Sequence, residues 1–294
     1  MGKFASSKTQ AASVMKNLQG DIIESVGSVR NYEQALKLAS EYMKENRLGS
    51  LRDITKEDAN DLLNIVAADN SQSQVDMLRQ ALQLQMQHVT NKLSKNETLK
   101  RVLSENPTKL SGRAYKNYQV QMITERQTDK YNLSTQICYE SGTRAHEIFT
   151  LRPTNEQPPD SRPTSDHKWL GRENTVSYTT TGKGGLTREF RIPQSTADKL
   201  EERRLDVPRI IVDRGVRYLQ HYELGGGKGL SASFSAASQR ALGWSTGVHG
   251  TRHSYAQERM HELQSNGLTR NKALLVVSQE LGHFRPSITE VYLR

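Results

Sequence analysis

Apolar side chains recur every three or four positions through the first hundred residues of this chain, and that spacing leaves amphipathic helices as the form able to bury them. Tyr32, Ala35, Leu36, Ala39, Tyr42 and Met43 fall on one helical face. Thr55 is placed to cap a second helix carrying Leu62, Leu63 and Val66, and Val75, Leu78, Leu82 and Met86 mark a third. Around Asn106-Pro107-Thr108-Lys109-Leu110-Ser111-Gly112 the pattern breaks into polar and turn-forming residues. This predicts a helical domain over 1–105, a linker over 106–112 and a second domain over 113–294.

The second domain reads as α+β, so the whole is mainly α with a small β-hairpin or sheet. Helices are expected over Tyr115 to Gln127 and Leu133 to Glu140, then a turn at Ser141-Gly142. Thr143 would cap a further helix, setting Arg144 and Glu147 three apart on one face. Pro153 to Asn174 reads as a surface loop. Val176 to Thr181 and Thr187 to Ile192 read as strands joined by Gly182-Lys183-Gly184-Gly185, a hairpin with Lys183 at its tip. Gly225-Gly226-Gly227-Lys228-Gly229-Leu230-Ser231 lacks the GxxxxGK[ST] order of a phosphate loop, because Gly229 follows Lys228, and is expected to be a flexible connection. Thr251 to Leu263 forms a helix stopped at Asn266-Gly267, and Thr269 starts another that ends at Gly282. Ser287-Ile288-Thr289-Glu290 has the form of a capping box, which would carry Tyr292 on the first turns of a short helix.

Charge narrows the partner. Over 294 residues, 41 Lys and Arg face 32 Asp and Glu, for a net charge of +9 and a pI near 9.5. The excess is one-sided: 14 basic against 13 acidic residues up to 105, then 27 against 19. Such a basic second domain suits a protein that neutralises phosphates, with nucleic acid the first expectation. One cysteine, Cys138, excludes an internal disulfide and a cysteine-based zinc site, and fits a reducing cytoplasm. No apolar run approaches the roughly 18 residues of a membrane span, so no membrane partner is expected.

Within the basic half lie three separated groups: Ser141-Gly142-Thr143-Arg144-Ala145-His146-Glu147, then Val248-His249-Gly250-Thr251-Arg252-His253-Ser254, then Leu281-Gly282-His283 with Tyr292 nine residues later. Attack on a phosphodiester builds negative charge on the non-bridging oxygens, and arginine stays cationic while presenting a fork that matches phosphate geometry. A tyrosine hydroxyl can act as nucleophile, dividing one hard displacement into two easier ones through a covalent intermediate. Chemistry of this kind needs no ATP, metal or other cofactor. Each group alone has a plain reading: a solvated Arg/Glu pair, helix-end histidines, a terminal tyrosine filling a groove.

Together and in this order, the groups resemble the tyrosine recombinase, or phage integrase, family across most of 107–294. The N-terminal helices are similar to that family's SAM-like core-binding domain. The resemblance implies that Arg144 binds the scissile phosphate, braced by Glu147, and that Lys183 protonates the leaving 5′ oxygen. It further implies that His249 and Arg252 complete the phosphate cradle, that His283 in the last group is a catalytic residue, and that Tyr292 is the nucleophile, forming a 3′-phosphotyrosyl link. His253, Tyr255 and His261 are left as structural or DNA-facing.

By the same resemblance, the expected activity is that of a site-specific recombinase or integrase acting on double-stranded attachment sites. It implies a homotetramer exchanging strands through a Holliday junction, two domains closing on DNA like a C, and a cytoplasmic, nucleoid-associated enzyme of a bacterial mobile genetic element. DNA-bending or directionality factors could assist. The sequence ends at Arg294, two residues past Tyr292, where many relatives continue into a segment that docks on a neighbouring protomer, so Tyr292 is expected to settle only with DNA and a partner. No arm-binding domain is evident at the start, which points to a simpler core-site recombinase. A type IB topoisomerase, resealing the same strand as a monomer, and a catalytically silent site-specific DNA-binding protein are the alternatives.

Overall fold

In the computed structural model, residues 5–23, 26–106, 111–182 and 184–294 are described, and the chain divides into two compact units, Met1–Lys109 and Leu110–Arg294. The centre of the expected linker, residues 107–110, lies outside the described residues. So does Lys183.

The first unit is built from helices α1 (Ser7–Leu18), α2 (Val26–Glu45), α3 (Lys56–Asp69) and α4 (Gln72–His88). The residues that set the periodicity are the ones buried together, among them Leu36, Met43, Leu62, Leu78 and Leu82. Thr55 caps α3 as expected: its hydroxyl accepts from Asp58 N–H at 3.1 Å while the Asp58 carboxylate accepts from Thr55 N–H at 2.9 Å. Ser71 and Gln74 repeat the device at the start of α4.

The second unit opens with α5 (Asn117–Thr124) and α6 (Asp129–Ser141). Strands β1 (Arg152–Pro153), β2 (Thr175–Thr181) and β3 (Thr187–Pro193) form an antiparallel sheet in the order β1-β2-β3, and Thr181 opposite Thr187 closes the hairpin. Alternation on β3 turns Arg188, Phe190 and Ile192 inward. After α7 (Gln194–Glu201), strands β4 (Arg204–Asp213) and β5 (Val216–Tyr222) pair as a second hairpin that the sequence pattern did not predict. Helices α8 (Gly227–Leu242), α9 (His249–Ser265), α10 (Arg270–Glu280) and the four-residue α11 (Pro286–Thr289) complete the chain, with a 3-10 turn over Glu290–Leu293. Among the described residues, no helix is long and apolar enough to cross a membrane.

Three expectations need correction. First, no α-helix follows Thr143: the chain turns and enters a 3-10 turn over Glu147–Thr150. The Glu147 carboxylate takes the Arg144 N–H at 2.9 Å, and the Ala145 carbonyl, which an α-helix would pair with the Phe149 N–H, accepts from Gly227 N–H at 2.7 Å while Phe149 N–H goes to the His146 carbonyl. Second, the glycine run is a tight packing point rather than a flexible connection. A Cβ on Gly225 would lie 2.2 Å from the Tyr131 ring, one on Gly226 2.8 Å from the Phe149 ring, and one on Gly227 2.4 Å from the Asp213 carboxylate. That carboxylate, at the end of β4, accepts the Lys228 N–H at 3.0 Å and so caps the first turn of α8 from another element. Third, Ser287 to Glu290 does not act as a capping box. Helix α11 begins with Pro286, and Glu290 pairs with Arg270 at 2.7 Å instead.

Candidate active site

Arg144, Arg252, His249, His283 and Tyr292, spread over about half the sequence, meet where the end of α6, the start of α9 and the segment after α10 come together. Two glycines permit this. At Gly142 the chain leaves α6 with φ +61°, and a Cβ would collide with Leu281 at 2.7 Å and Tyr255 at 2.8 Å. At Gly282, φ +73°, α10 ends with His283 N–H returning to the Ser278 carbonyl at 2.9 Å, which fixes where the His283 ring begins.

Glu147 is wholly buried, yet its carboxylate is surrounded by donors. Oε1 accepts from Arg144 at 2.7 Å and Oε2 from Arg188 at 2.8 Å. Burial alone would raise its pKa, but Arg188, Arg144 and Arg252 reverse this and hold it well below the usual carboxylate range. The family resemblance implied that Glu147 braces the site, and the structure brings Glu147 into direct contact with Arg144.

Arg252 sits on α9 three residues after His249 and is 0% exposed. Its guanidinium donates to the Gly142 and Leu281 carbonyls and to His283 Nε2 at 3.0 Å. None of these acceptors carries a charge. Burial, then the nearby Arg144, pushes its pKa down to about 9 against the opposing pull of Glu147. Among the described residues its Nε has no partner. Because a guanidinium can only donate, His283 Nε2 must accept, so the ring proton sits on Nδ1 and faces Thr289 Oγ at 3.1 Å.

The Tyr292 ring lies in the 3-10 turn, 8% exposed, with Arg252 Cζ 5.5 Å above its centre. Three imidazoles ring it: His253 at 4.8 Å, His283 at 5.2 Å and His249 at 5.5 Å between centroids. Gln257 on α9 ties the turn down by donating to the Tyr292 carbonyl at 3.1 Å. All three imidazoles lose basicity. Desolvation and then Arg252 lower His283 to about 3; desolvation and then Arg252, His253, Arg113 and Arg144 lower His249, which keeps an exposed edge, to about 4. Desolvation and Arg113 lower His253 to about 4 against the opposing Tyr292 carbonyl. At neutral pH all three are uncharged.

Two residues in this cluster were not singled out as site residues by the sequence pattern. His253, left as structural or DNA-facing, has the imidazole nearest the Tyr292 ring. Arg188 faces inward from β3 onto Glu147, and the available signal was a charged residue in phase with Phe190 and Ile192 on an alternating strand. Tyr255 turns away from Tyr292 and donates to Glu280 at 2.8 Å, and His261 is exposed. Among the described residues no group of three or more His, Cys, Asp or Glu side chains is placed to hold a metal ion.

No family model matches this sequence, and no curated protein matches it. Solved structures do. XerH site-specific recombinase bound to palindromic difH substrate, in a post-cleavage complex, is similar with a TM-score of 0.58 at 14% identity, over 98% of this chain and 90% of that one. The Tn1549 transposon integrase with transposon right end DNA gives 0.54 at 13%, over 99% and 95%. A lambda integrase dimer on a COC′ core site gives 0.61 at 14%, over 97% and 76%, and its tetramer on a Holliday junction gives 0.56 at the same identity and coverage. The helical unit followed by the α+β unit is therefore the fold of these site-specific recombinases and integrases, the fold that the spaced arginine, histidine and tyrosine groups implied.

Proposed function

We propose that this protein is a site-specific DNA recombinase that cleaves and rejoins strands through a 3′-phosphotyrosyl link to Tyr292. One observation carries the reading: a fully buried arginine with only neutral acceptors lies over a tyrosine ring that three uncharged imidazoles surround. A structural arginine in such a place would normally have a carboxylate of its own. Arg252 instead keeps a full positive charge directed at the tyrosine, which is what an incoming phosphate needs.

In this reading a DNA phosphate enters between Arg144 and Arg252, and the Tyr292 oxygen attacks phosphorus as the 5′ oxygen leaves. An uncharged imidazole can accept the phenol proton. His283 has committed Nε2 to Arg252, which leaves His249 and His253 as the bases on this geometry. Lys183 is assigned the proton delivered to the 5′ oxygen, from the sequence pattern alone. The two arginines oppose the charge growing on the non-bridging oxygens, and losing either costs on the order of a hundredfold or more in rate. Glu147 keeps Arg144 aimed. The released 5′ hydroxyl, or one from a partner duplex, then attacks the phosphotyrosine and frees the enzyme. Likeness to the lambda integrase tetramer bound to a Holliday junction supports a tetramer exchanging strands through such a junction; the proposed setting is a mobile genetic element in a bacterial cytoplasm.

The test begins with a duplex recovered by binding selection from a random-sequence library. Nicked beside the candidate cleavage position, it is incubated with the protein and run on a denaturing gel. A covalent adduct that disappears in Tyr292→Phe is the expected result. A duplex that binds tightly and never yields an adduct would overturn it in favour of a silent DNA-binding protein.

A further inference from the structure

Arg188 lies outside the three sequence groups, and the mechanism above does not use it. It is 4% exposed and spans three pieces of the site. From β3, its two terminal nitrogens donate to Glu147 Oε2 and to the Glu280 carbonyl at the end of α10, each at 2.8 Å. The next carbonyl along the chain, that of Leu281, is taken by Arg252. Two guanidiniums thus satisfy the buried C-terminal end of that helix, where unpaired carbonyls and the helix dipole favour cations. Gly282 is shaped for the crossing, since a Cβ there would lie 2.8 Å from Arg188 Cδ.

We infer that Arg188 is a positioning residue of the strand-cleavage site: it holds Glu147 from the side opposite Arg144 and locks the end of α10, so that Arg144 and His283 keep their relative places. The inference rests on the recombinase reading. The geometry distinguishes it from a general stabilising contact, because Glu147 has two oxygens and each guanidinium takes one, the Arg144 N–H sharing Oε2 with Arg188. Without Arg188, one oxygen of a fully buried carboxylate would keep only the Arg144 N–H, and Glu147 would swing or protonate. The groups facing Glu147 are Arg144 and His146 in its own turn, Arg188 on β3, Arg252 on α9, His283 after α10 and Cys138 on α6. Of these, Arg188 and Arg144 are the two that bond its carboxylate.

The consequence is a signature in pH. Native Glu147 is ionised across the working range, so cleavage has no acid limb from it. In Arg188→Met its carboxyl moves upward, and cleavage falls as pH drops through the new value.

The experiment measures single-turnover adduct formation by the full-length protein on the selected nicked duplex, from pH 5 to 8, with binding measured alongside. Arg188→Met should bind within about twofold of native yet cleave about 10- to 100-fold more slowly, as expected when reacting groups shift by about 1 Å. It should also gain an acid limb that Glu147→Gln in the same background removes, and Arg188→Lys should recover part of the rate. Native cleavage by Arg188→Met, or a parallel loss of binding and cleavage without a new limb, overturns the positioning role while leaving the recombinase reading intact. Should Arg188→Met fail to fold, Arg188→Lys carries the same readout, and a Lys variant with native rate and native pH profile refutes the role. A native protein that binds but forms no adduct fails the recombinase reading, and this inference with it.

Discussion

Replacing Arg259 by methionine should destabilise the second unit more than any surface change. Arg259 on α9 and Glu280 at the end of α10 are both fully buried, with Arg259 Nε 3.0 Å and Nη2 3.0 Å from the two carboxylate oxygens. Arg259 also donates to the Leu170 carbonyl at 2.9 Å and pairs with Glu262 at 2.8 Å. Arg259→Met keeps the aliphatic stem but leaves Glu280 with the Tyr255 hydroxyl and a long contact from Trp169 N–H. A carboxylate stranded in this way costs about 3–5 kcal/mol. Arg172, which stacks on the Tyr255 ring at 5.0 Å, offsets part of the charge, so the lower end is expected. For a domain of this size that is a fall of roughly 6–12 °C in Tm. Both tryptophans of the chain, Trp169 and Trp244, lie in the second unit, so their fluorescence in urea follows that unit's unfolding. The double variant Arg259→Met/Glu280→Gln should recover more than about 1 kcal/mol of the loss, because the stranded charge is gone. A single variant within about 1 kcal/mol of native, or a double variant as unstable as the two singles added, would refute the reasoning.

Two further outcomes are expected. Gly226→Ala must push a methyl group into the Phe149 ring at 2.8–2.9 Å and should cost about 1–3 kcal/mol by the same fluorescence assay, whereas a flexible connection would tolerate it without loss. His253 is buried and lowered from 6.5 to about 4, so the unfolded chain binds the extra proton between those values. Its contribution to stability is whole above about pH 6.5 and shrinks as pH falls toward 4. The stability difference between native and His253→Gln should narrow on acidification, and a difference that stays constant or widens refutes the buried neutral imidazole.

Legibility in the sequence followed the range of the interactions. Helices α3 and α4 were readable because their apolar residues recur at three and four and Thr55 caps α3 within four residues, and the β2–β3 hairpin because alternation and a Gly-rich turn are local signals. The segment after Gly142 was not, since its helix is prevented by a partner more than eighty residues away, the Gly227 N–H on the Ala145 carbonyl. The glycine run looked mobile for the same reason: the aromatic rings of Tyr131 and Phe149 that require its small residues come from distant parts of the chain. Strands β4 and β5 did carry a signal, β-branched and aromatic runs around Asp213-Arg214-Gly215, but a hairpin leaving Val207, Ile210 and Val212 exposed violates the pattern expected of a half-buried sheet. Arg188 was hidden because a lone arginine on a strand is ordinarily solvent-facing.

The acceptors of the buried arginines follow a consistent logic. Arg144, Arg188 and Arg252 bring three positive charges to a water-poor site, and among the described residues Glu147 is the one carboxylate bonded to any of them. The histidines add no charge at neutral pH. The net excess of two positive charges would ordinarily be removed by another carboxylate. Here further guanidinium donors of Arg188 and Arg252 go instead to the carbonyls of Gly142, Glu280 and Leu281 and to a neutral imidazole, while the Nε of each has no partner among the described residues. Carbonyls satisfy hydrogen bonds without cancelling charge, so each N–H they take is desolvated at small cost while the field stays intact. A phosphodiester carries one negative charge and gains a second as a phenolate adds to phosphorus. Under the proposed reaction, an excess of two positive charges would match that transition state better than the ground state, and a second carboxylate beside Arg252 would weaken that match.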